Sequence, residues 1–256
     1  MTPGLCATAR IVVRWARKVL AGAILSGIAV VPVLAEEVRL VAADGVTVFA
    51  DHFAPSGTRS RGTILLFHQA SSSAAEYMSI APRLAAMGFV VLAVDLRSGG
   101  EMFLGTNRTV QALGFSAGYE AALPDMAAAL ASVQAAGPVL VWGSSYSAGL
   151  VFALAAAHPG SVAAILAFSP GEYFSAINVA RAAAQVRVPV YVTSASVAGE
   201  VAAAKAIADA VPGGMAVQFV PKVGSHGSAT LRADTDPKGE AANWDAVTGF
   251  LDRVAP

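Results

Sequence analysis

The stretch from Val139 to Pro159 constrains the fold more than any other part of the chain. It begins with four apolar residues that end at Trp142, the length of a strand buried in a parallel sheet. A cluster of small residues follows, and then an apolar helical run that ends at Pro159, because proline cannot continue a helix. This order predicts a sharp turn that holds one side chain at the edge of the sheet.

Ser145 is the predicted residue at the tip of this turn. The positions two before and two after it must be small, because the strand and helix backbones nearly touch there, and Gly143 and Ser147 meet this condition. Ser147 is the alternative, since Ser145 and Gly149 flank it at the same spacing, and a purely structural turn is the other. Gly143 directly follows the apolar run, whereas Ser147 would place the reactive residue inside the helix, so the sequence favours Ser145.

Residues 1–35 have the pattern of an export signal. A basic stretch that ends at Lys18 precedes an apolar run up to Leu34, and Val33 and Ala35 supply small residues at −3 and −1 of a cleavage site. We therefore expect cleavage after Ala35 and a periplasmic or secreted protein. An uncleaved membrane anchor is the alternative, which the short span and its glycine and proline residues disfavour.

The remaining residues, 36–256, have the length and composition of one globular domain. The chain is 55% apolar and 13% charged, which allows a large core. The first 35 residues contain four basic residues and no acidic one. The rest of the chain therefore holds 13 basic and 17 acidic residues, a net charge of −4. This balance argues against a nucleic acid or an anionic membrane as partner. Cys6 is the only cysteine, and the sequence indicates neither a metal site nor a cofactor.

Short apolar strands alternate with helical patterns along this domain, which predicts an α/β fold. Asp44-Gly45 between two alternating segments indicates a hairpin. Two further expectations concern residues 102–113, predicted as an irregular loop, and residues 116–136, predicted as one helix with a break near Pro124.

The GSSYSAG segment, residues 143–149, resembles the Gly-x-Ser-x-Gly elbow of the α/β-hydrolase superfamily, with Ser147 in place of the second glycine. The helix that ends at Pro159 and the loop that begins at Asp95 also resemble that superfamily. The resemblance implies a mostly parallel sheet of about eight strands with helices on both faces. Residues 169–187 are too few for the large cap domain that many relatives carry.

The resemblance also implies a general base and an acid that follow the nucleophile in the chain. His226 is the only histidine in the C-terminal third and is flanked by small residues in the last loop before a helix. The acid of the superfamily usually lies just past the strand that is predicted here over residues 189–193. Glu200 is the only carboxylate within reach there. Glu172 is the alternative acid, one strand earlier in the chain.

A buried apolar strand is predicted over residues 63–67. In the superfamily, the loop after this strand donates a backbone N–H to the oxyanion. Gln69 stands where glycine is usual, so Ala70 or Gln69 itself is the expected donor, and Tyr146 N–H is the second. His68, which begins this loop, is interpreted as a residue that orients it. The short loops look most like the dienelactone-hydrolase-like group, although that group uses cysteine as its nucleophile.

The sequence therefore predicts a serine hydrolase that cleaves a small-molecule ester or a related carbonyl compound through an acyl-enzyme. A peptidase or amidase of the same fold is one alternative. A non-catalytic binding protein on this fold is the other, supported by Gln69 and by the absence of an aspartate at the position of the acid.

Overall fold

A computed structural model describes residues 35–57, 59–133 and 137–256 of the chain. Eight strands form one sheet in the order β1-β2-β4-β3-β5-β6-β7-β8. The strands are β1 (Glu36–Val41), β2 (Thr47–Phe53), β3 (Thr63–Phe67), β4 (Val90–Val94), β5 (Val139–Ser144), β6 (Ala164–Phe168), β7 (Val190–Thr193) and β8 (Ala216–Phe219).

The sheet is mostly parallel. β1 and β2 form the expected antiparallel hairpin, and Gly45 takes the positive φ of 85° that its turn requires. β2 is also antiparallel to β4, and every other neighbouring pair runs parallel. The side chains of β3, β5, β6 and β7 are buried on both faces, which explains their uninterrupted apolar runs.

Helices cover both faces of the sheet and bury a separate apolar cluster on each. α3 to α6 pack on one face, and α1 and α7 pack on the other. The helices are α1 (Ala81–Ala86), α2 (Arg108–Leu113), α3 (Leu123–Val133), α4 (Tyr146–Ala157), α5 (Val179–Ala183), α6 (Ala198–Ala210) and α7 (Glu240–Val254). The predicted architecture is confirmed, and between β6 and β7 the described residues add one short helix and no cap domain.

Two segments differ from the sequence prediction. Residues 102–113 form a 3₁₀ turn and α2 rather than an irregular loop, because the Asn107 side chain accepts a hydrogen bond from Val110 N and caps the helix. The long helix predicted over residues 116–136 begins only at Leu123. Pro124 therefore lies in the first turn of α3, where a missing N–H costs no hydrogen bond.

The predicted export signal, except for Ala35, lies outside the described residues, so cleavage and export stay predictions. Within the part of the chain that the structure describes, no helix has both the length and the apolarity to cross a bilayer.

Candidate active site

Ser145 lies at a sharp turn between β5 and α4. Its φ of 59° and ψ of −121° are unusual for a residue with a side chain, and Ser145 N–H donates a 2.8 Å hydrogen bond to Phe168 O that holds the turn against β6. The residue is 8% exposed. The carboxyl ends of the parallel strands meet at this edge of the sheet, where ligands bind in open α/β folds.

Gly143 allows the strand and the helix to approach each other below Ser145. A Cβ atom on Gly143 would lie 2.4 Å from Ser147 O and 2.5 Å from Ala148 Cα, both backbone atoms that cannot move aside. We expect Gly143→Ala to lower the free energy of unfolding by about 3 kcal/mol, measured by urea denaturation.

Gly249→Ala is the matched control, because Gly249 lies within α7 and the nearest atom to an added Cβ is 3.8 Å away. Alanine there should raise the free energy of unfolding by about 0.5–1 kcal/mol. If Gly143→Ala were as stable as the wild-type protein, the elbow would not be as tightly packed as the structure indicates.

Ser147 is fully buried. Its hydroxyl donates a 2.7 Å hydrogen bond to Phe67 O and accepts one of 2.8 Å from Ser144 N. Ser147 therefore fastens the elbow to β3, and the alternative nucleophile does not lie with the other candidate site residues.

His226 lies between β8 and a 3₁₀ helix, Gly227–Leu231, and faces Ser145. Its Nε2 atom is 2.8 Å from Ser145 Oγ, and its Nδ1 atom is 3.0 Å from Glu200 Oε1. This spacing fits the tautomer in which Nδ1–H donates to Glu200 and Nε2 accepts the hydroxyl proton of Ser145. Three residues from separate segments of the chain thus form one continuous hydrogen-bonded chain.

Glu200 lies in the first turn of α6 and accepts hydrogen bonds besides that from His226. Ser169 Oγ donates to Glu200 Oε2 at 2.7 Å, and Ala195 N donates at 3.2 Å. Partial burial acts to raise the pKa of Glu200, but the hydrogen bonds from Ser169 and His226 outweigh it and hold the pKa below its usual value. Glu200 therefore carries the negative charge that a histidinium would need beside it.

Glu172, the alternative acid, has a different place. Its two carboxylate oxygens accept hydrogen bonds from Val179 N at 2.7 Å and Ala180 N at 2.8 Å. Both donors belong to the first turn of α5, where the N–H groups lack intrahelical acceptors. The structure brings Ser145, His226 and Glu200 together, and it uses Glu172 to cap a helix.

Ser169 was not singled out from the sequence, although it directly follows the buried strand β6. Besides donating to Glu200, its hydroxyl accepts a 2.9 Å hydrogen bond from Gly227 N, next to His226. The backbone of Ser169 has a positive φ of 54°, which turns the side chain toward the acid. Ser169 thus joins the loop of the acid to the loop of the histidine.

One of the three predicted oxyanion donors is already engaged in another hydrogen bond. Gln69 N–H donates a 2.8 Å hydrogen bond to Glu76 Oε2, so it is occupied and does not serve as an oxyanion donor. Ala70 N–H has no hydrogen-bond acceptor among the described residues. Tyr146 N–H, the first of α4, has no intrahelical acceptor either. These two groups remain as candidate donors.

His68 is fully buried and holds the loop in which Ala70 lies. Its Nδ1 atom donates to Gln69 O at 2.8 Å, and its Nε2 atom accepts from Leu96 N at 2.9 Å. Burial lowers the pKa of His68, which favours the neutral imidazole. This arrangement fits the interpretation of His68 as an orienting residue.

Two tryptophan indoles fasten the 3₁₀ helix that follows His226. Trp142 Nε1 donates to Ser228 Oγ at 2.8 Å, and Trp244 Nε1 donates to Leu231 O at 2.9 Å. Both rings are buried, and Trp142 also stacks on Phe168 at a centroid distance of 4.4 Å. The segment that follows His226 in the chain is therefore held in place by two buried side chains of the core.

The family model described as serine aminopeptidase, S33, matches residues 58–210. The chain belongs to this family of α/β hydrolases. The matched residues include Ser145 and Glu200, and His226 lies beyond them. No curated protein sequence matches the chain. Within the described residues, no group of three or more histidine, cysteine, aspartate or glutamate side chains is placed to bind one metal ion.

Solved structures of other α/β hydrolases are similar in fold to this member of the family. A thermostable carboxyl esterase from Bacillus coagulans is 13% identical with a TM-score of 0.67, over 87% of this chain and 99% of that one. A dienelactone hydrolase from Anabaena variabilis is 15% identical with a TM-score of 0.65, over 87% and 99%. An esterase from Pyrococcus furiosus is 18% identical with a TM-score of 0.64, over 87% and 92%. The α/β-hydrolase resemblance is confirmed, and the chain is a hydrolase.

Proposed function

We propose that this hydrolase cleaves an ester or a related carbonyl compound through an acyl-enzyme on Ser145. The observation that carries the proposal is the continuous contact from Ser145 Oγ to His226 Nε2 at 2.8 Å and from His226 Nδ1 to Glu200 Oε1 at 3.0 Å. A serine hydroxyl is a weak nucleophile at neutral pH, and an adjacent base with a third group to orient it is the usual remedy.

In this mechanism Ser145 Oγ attacks the carbonyl carbon while its proton passes to His226 Nε2. Glu200 stabilises the resulting imidazolium and keeps the ring in orientation. The histidinium then protonates the leaving group as its bond to the carbonyl carbon breaks, which leaves the acyl group on Ser145. Water attacks that ester next, with His226 as base, and releases the acid and the free serine.

The oxyanion that forms in both steps is stabilised by Tyr146 N–H and Ala70 N–H. Removing one such donor typically costs on the order of 10²–10³ in rate. Both are backbone groups whose positions depend on the elbow and on the loop after β3, so truncating either side chain to alanine leaves its N–H in place.

A fluorophosphonate probe tests the proposal, because it reacts with a serine only where a base activates the hydroxyl. We expect one mole of probe per mole of wild-type protein, attached to Ser145 by peptide mass spectrometry. Ser145→Ala should abolish labelling, and His226→Ala should slow it strongly. An unlabelled wild-type protein would show that the proposal is wrong and favour the alternative of a non-catalytic binding protein. A label on another serine would show that the nucleophile is not Ser145.

A second candidate activity is cleavage of an amide or peptide, which the description of the matching family favours. Rates on an ester and an anilide with the same acyl group separate the two. We expect the ester to be cleaved at the greater kcat/KM, and a faster anilide would assign the protein to the peptidases or amidases.

A further inference from the structure

Glu76 is a fully buried carboxyl group that the proposed chemistry does not use. It lies on the 3₁₀ helix Ala74–Tyr77, which follows the loop after β3. A buried carboxyl group is costly unless its oxygens are hydrogen-bonded. The hydrogen bonds that Glu76 accepts therefore indicate its role in the protein.

The carboxylate of Glu76 joins three segments of the site. Oε2 accepts the 2.8 Å hydrogen bond from Gln69 N, next to the candidate oxyanion donor Ala70. Oε1 accepts a 2.6 Å hydrogen bond from Ser144 Oγ, next to the nucleophile. Ser144 Oγ in turn accepts a 2.9 Å hydrogen bond from Ser228 N, two residues beyond His226.

We propose that Glu76 is a positioning residue. It holds the loop after β3, the turn at Ser145 and the segment around His226 in the arrangement that the proposed chemistry requires. The proposal rests on the proposed function. Glu76 acts through Gln69 and Ser144, whose neighbours carry out the chemistry, and it touches none of the reacting atoms.

The ionised carboxylate satisfies this network completely. Ser144 Oγ donates its proton to Glu76 Oε1 and Gln69 N–H donates to Oε2, so both carboxylate oxygens act as acceptors. A proton on Oε1 would turn the Ser144 oxygen into the acceptor of this contact, and the Ser144 proton would lose its acceptor. Hydrogen bonds in such buried networks strengthen one another, so the loss of one weakens the others.

Protonation of Glu76 falls in the neutral range. Burial raises its pKa to about 7, against the hydrogen bonds from Ser144 and Gln69 and the positive charge of Arg232. The other titratable groups that face it are Tyr77 and Tyr146, whose own pKa values burial raises. As the pH falls through about 7, the network should loosen and kcat should drop.

Glu76→Ala and Glu76→Gln test the proposal with p-nitrophenyl acetate as the substrate. Alanine removes both acceptors, so we expect kcat to fall about 10²-fold, as when an oxyanion donor is lost. Glutamine keeps one acceptor and should restore about tenfold of this loss. KM should change less than threefold for both. Glu101→Gln, at an exposed glutamate with no side-chain hydrogen bond to a described residue, is the matched control and should equal the wild type.

The concentration of competent enzyme is measured by fluorophosphonate titration, and folding by thermal denaturation. The acidic limb of the kcat profile should be less steep in Glu76→Gln than in the wild type, because protonation of Glu76 no longer contributes to it. The proposal would be overturned if the wild type and Glu76→Gln had equal kcat per labelled site and equally steep acidic limbs. This comparison does not need the alanine variant, so it holds even if that variant fails to fold. Failure of the wild type to label would instead contradict the proposed function.

Discussion

Ser145→Ala should lower kcat/KM for p-nitrophenyl acetate by about 10⁴-fold or more while the protein stays folded. In the proposed mechanism, the substitution removes the attacking oxygen and leaves the base and the oxyanion donors in place, so only their small residual catalysis would remain. Alanine carries the same Cβ as serine, so it adds no strain to the turn with φ of 59°. Initial rates and thermal unfolding measure the two effects.

Ser196→Ala is the control for this substitution, because Ser196 is exposed and its hydroxyl makes no hydrogen bond to a described residue. Its turnover should equal that of the wild type. If Ser145→Ala kept a tenth of the wild-type turnover, the nucleophile would have to lie elsewhere. Ser147 would then be the first residue to test.

Glu200→Gln should lower kcat by up to about 10⁴-fold, the effect of the corresponding change in a well-studied serine protease. The amide of glutamine has an NH2 donor and carries no negative charge beside His226 Nδ1, so the histidinium of the proposed mechanism would lose its stabilisation. Burst-phase kinetics with p-nitrophenyl acetate locate the loss in the chemical steps.

Glu172→Gln makes the same chemical change at the alternative acid. The structure places Glu172 at the start of α5, so the variant should lose at most about 1 kcal/mol of stability from a weakened helix cap, and its turnover should stay within threefold of the wild type. A large loss of turnover in Glu172→Gln with normal activity in Glu200→Gln would reverse the assignment of the acid.

Much of the fold and the site could be predicted because parallel strands impose strong local rules. A strand buried on both faces must be a short apolar run, and the carboxyl ends of such strands share one edge. Side chains just past β5, β7 and β8 are therefore expected to meet, and Ser145, Glu200 and His226 do so in the structure. The strand order itself depends on crossovers that no local pattern fixes.

The parts that were missed depend on contacts between distant segments. Gln69 remained a candidate oxyanion donor because nothing near it in the sequence shows that Glu76 would fold back under its N–H. An acidic residue near the start of a helical segment is usually exposed. Glu76 becomes a buried acceptor because the chain returns to it with Ser144, 68 residues later. Similarly, the cap of α2 by Asn107 depends on a single side chain rather than on periodicity.

The attachment of Trp142 and Trp244 to the segment after His226 has an optical consequence. Both indole N–H groups donate to residues of that one 3₁₀ helix, so a displacement of the helix changes the surroundings of both rings at once. We therefore expect the intrinsic emission of the folded domain to respond when the loop of His226 is displaced. Acylation or inhibitor binding that shifts this loop would be followed in real time without an added label.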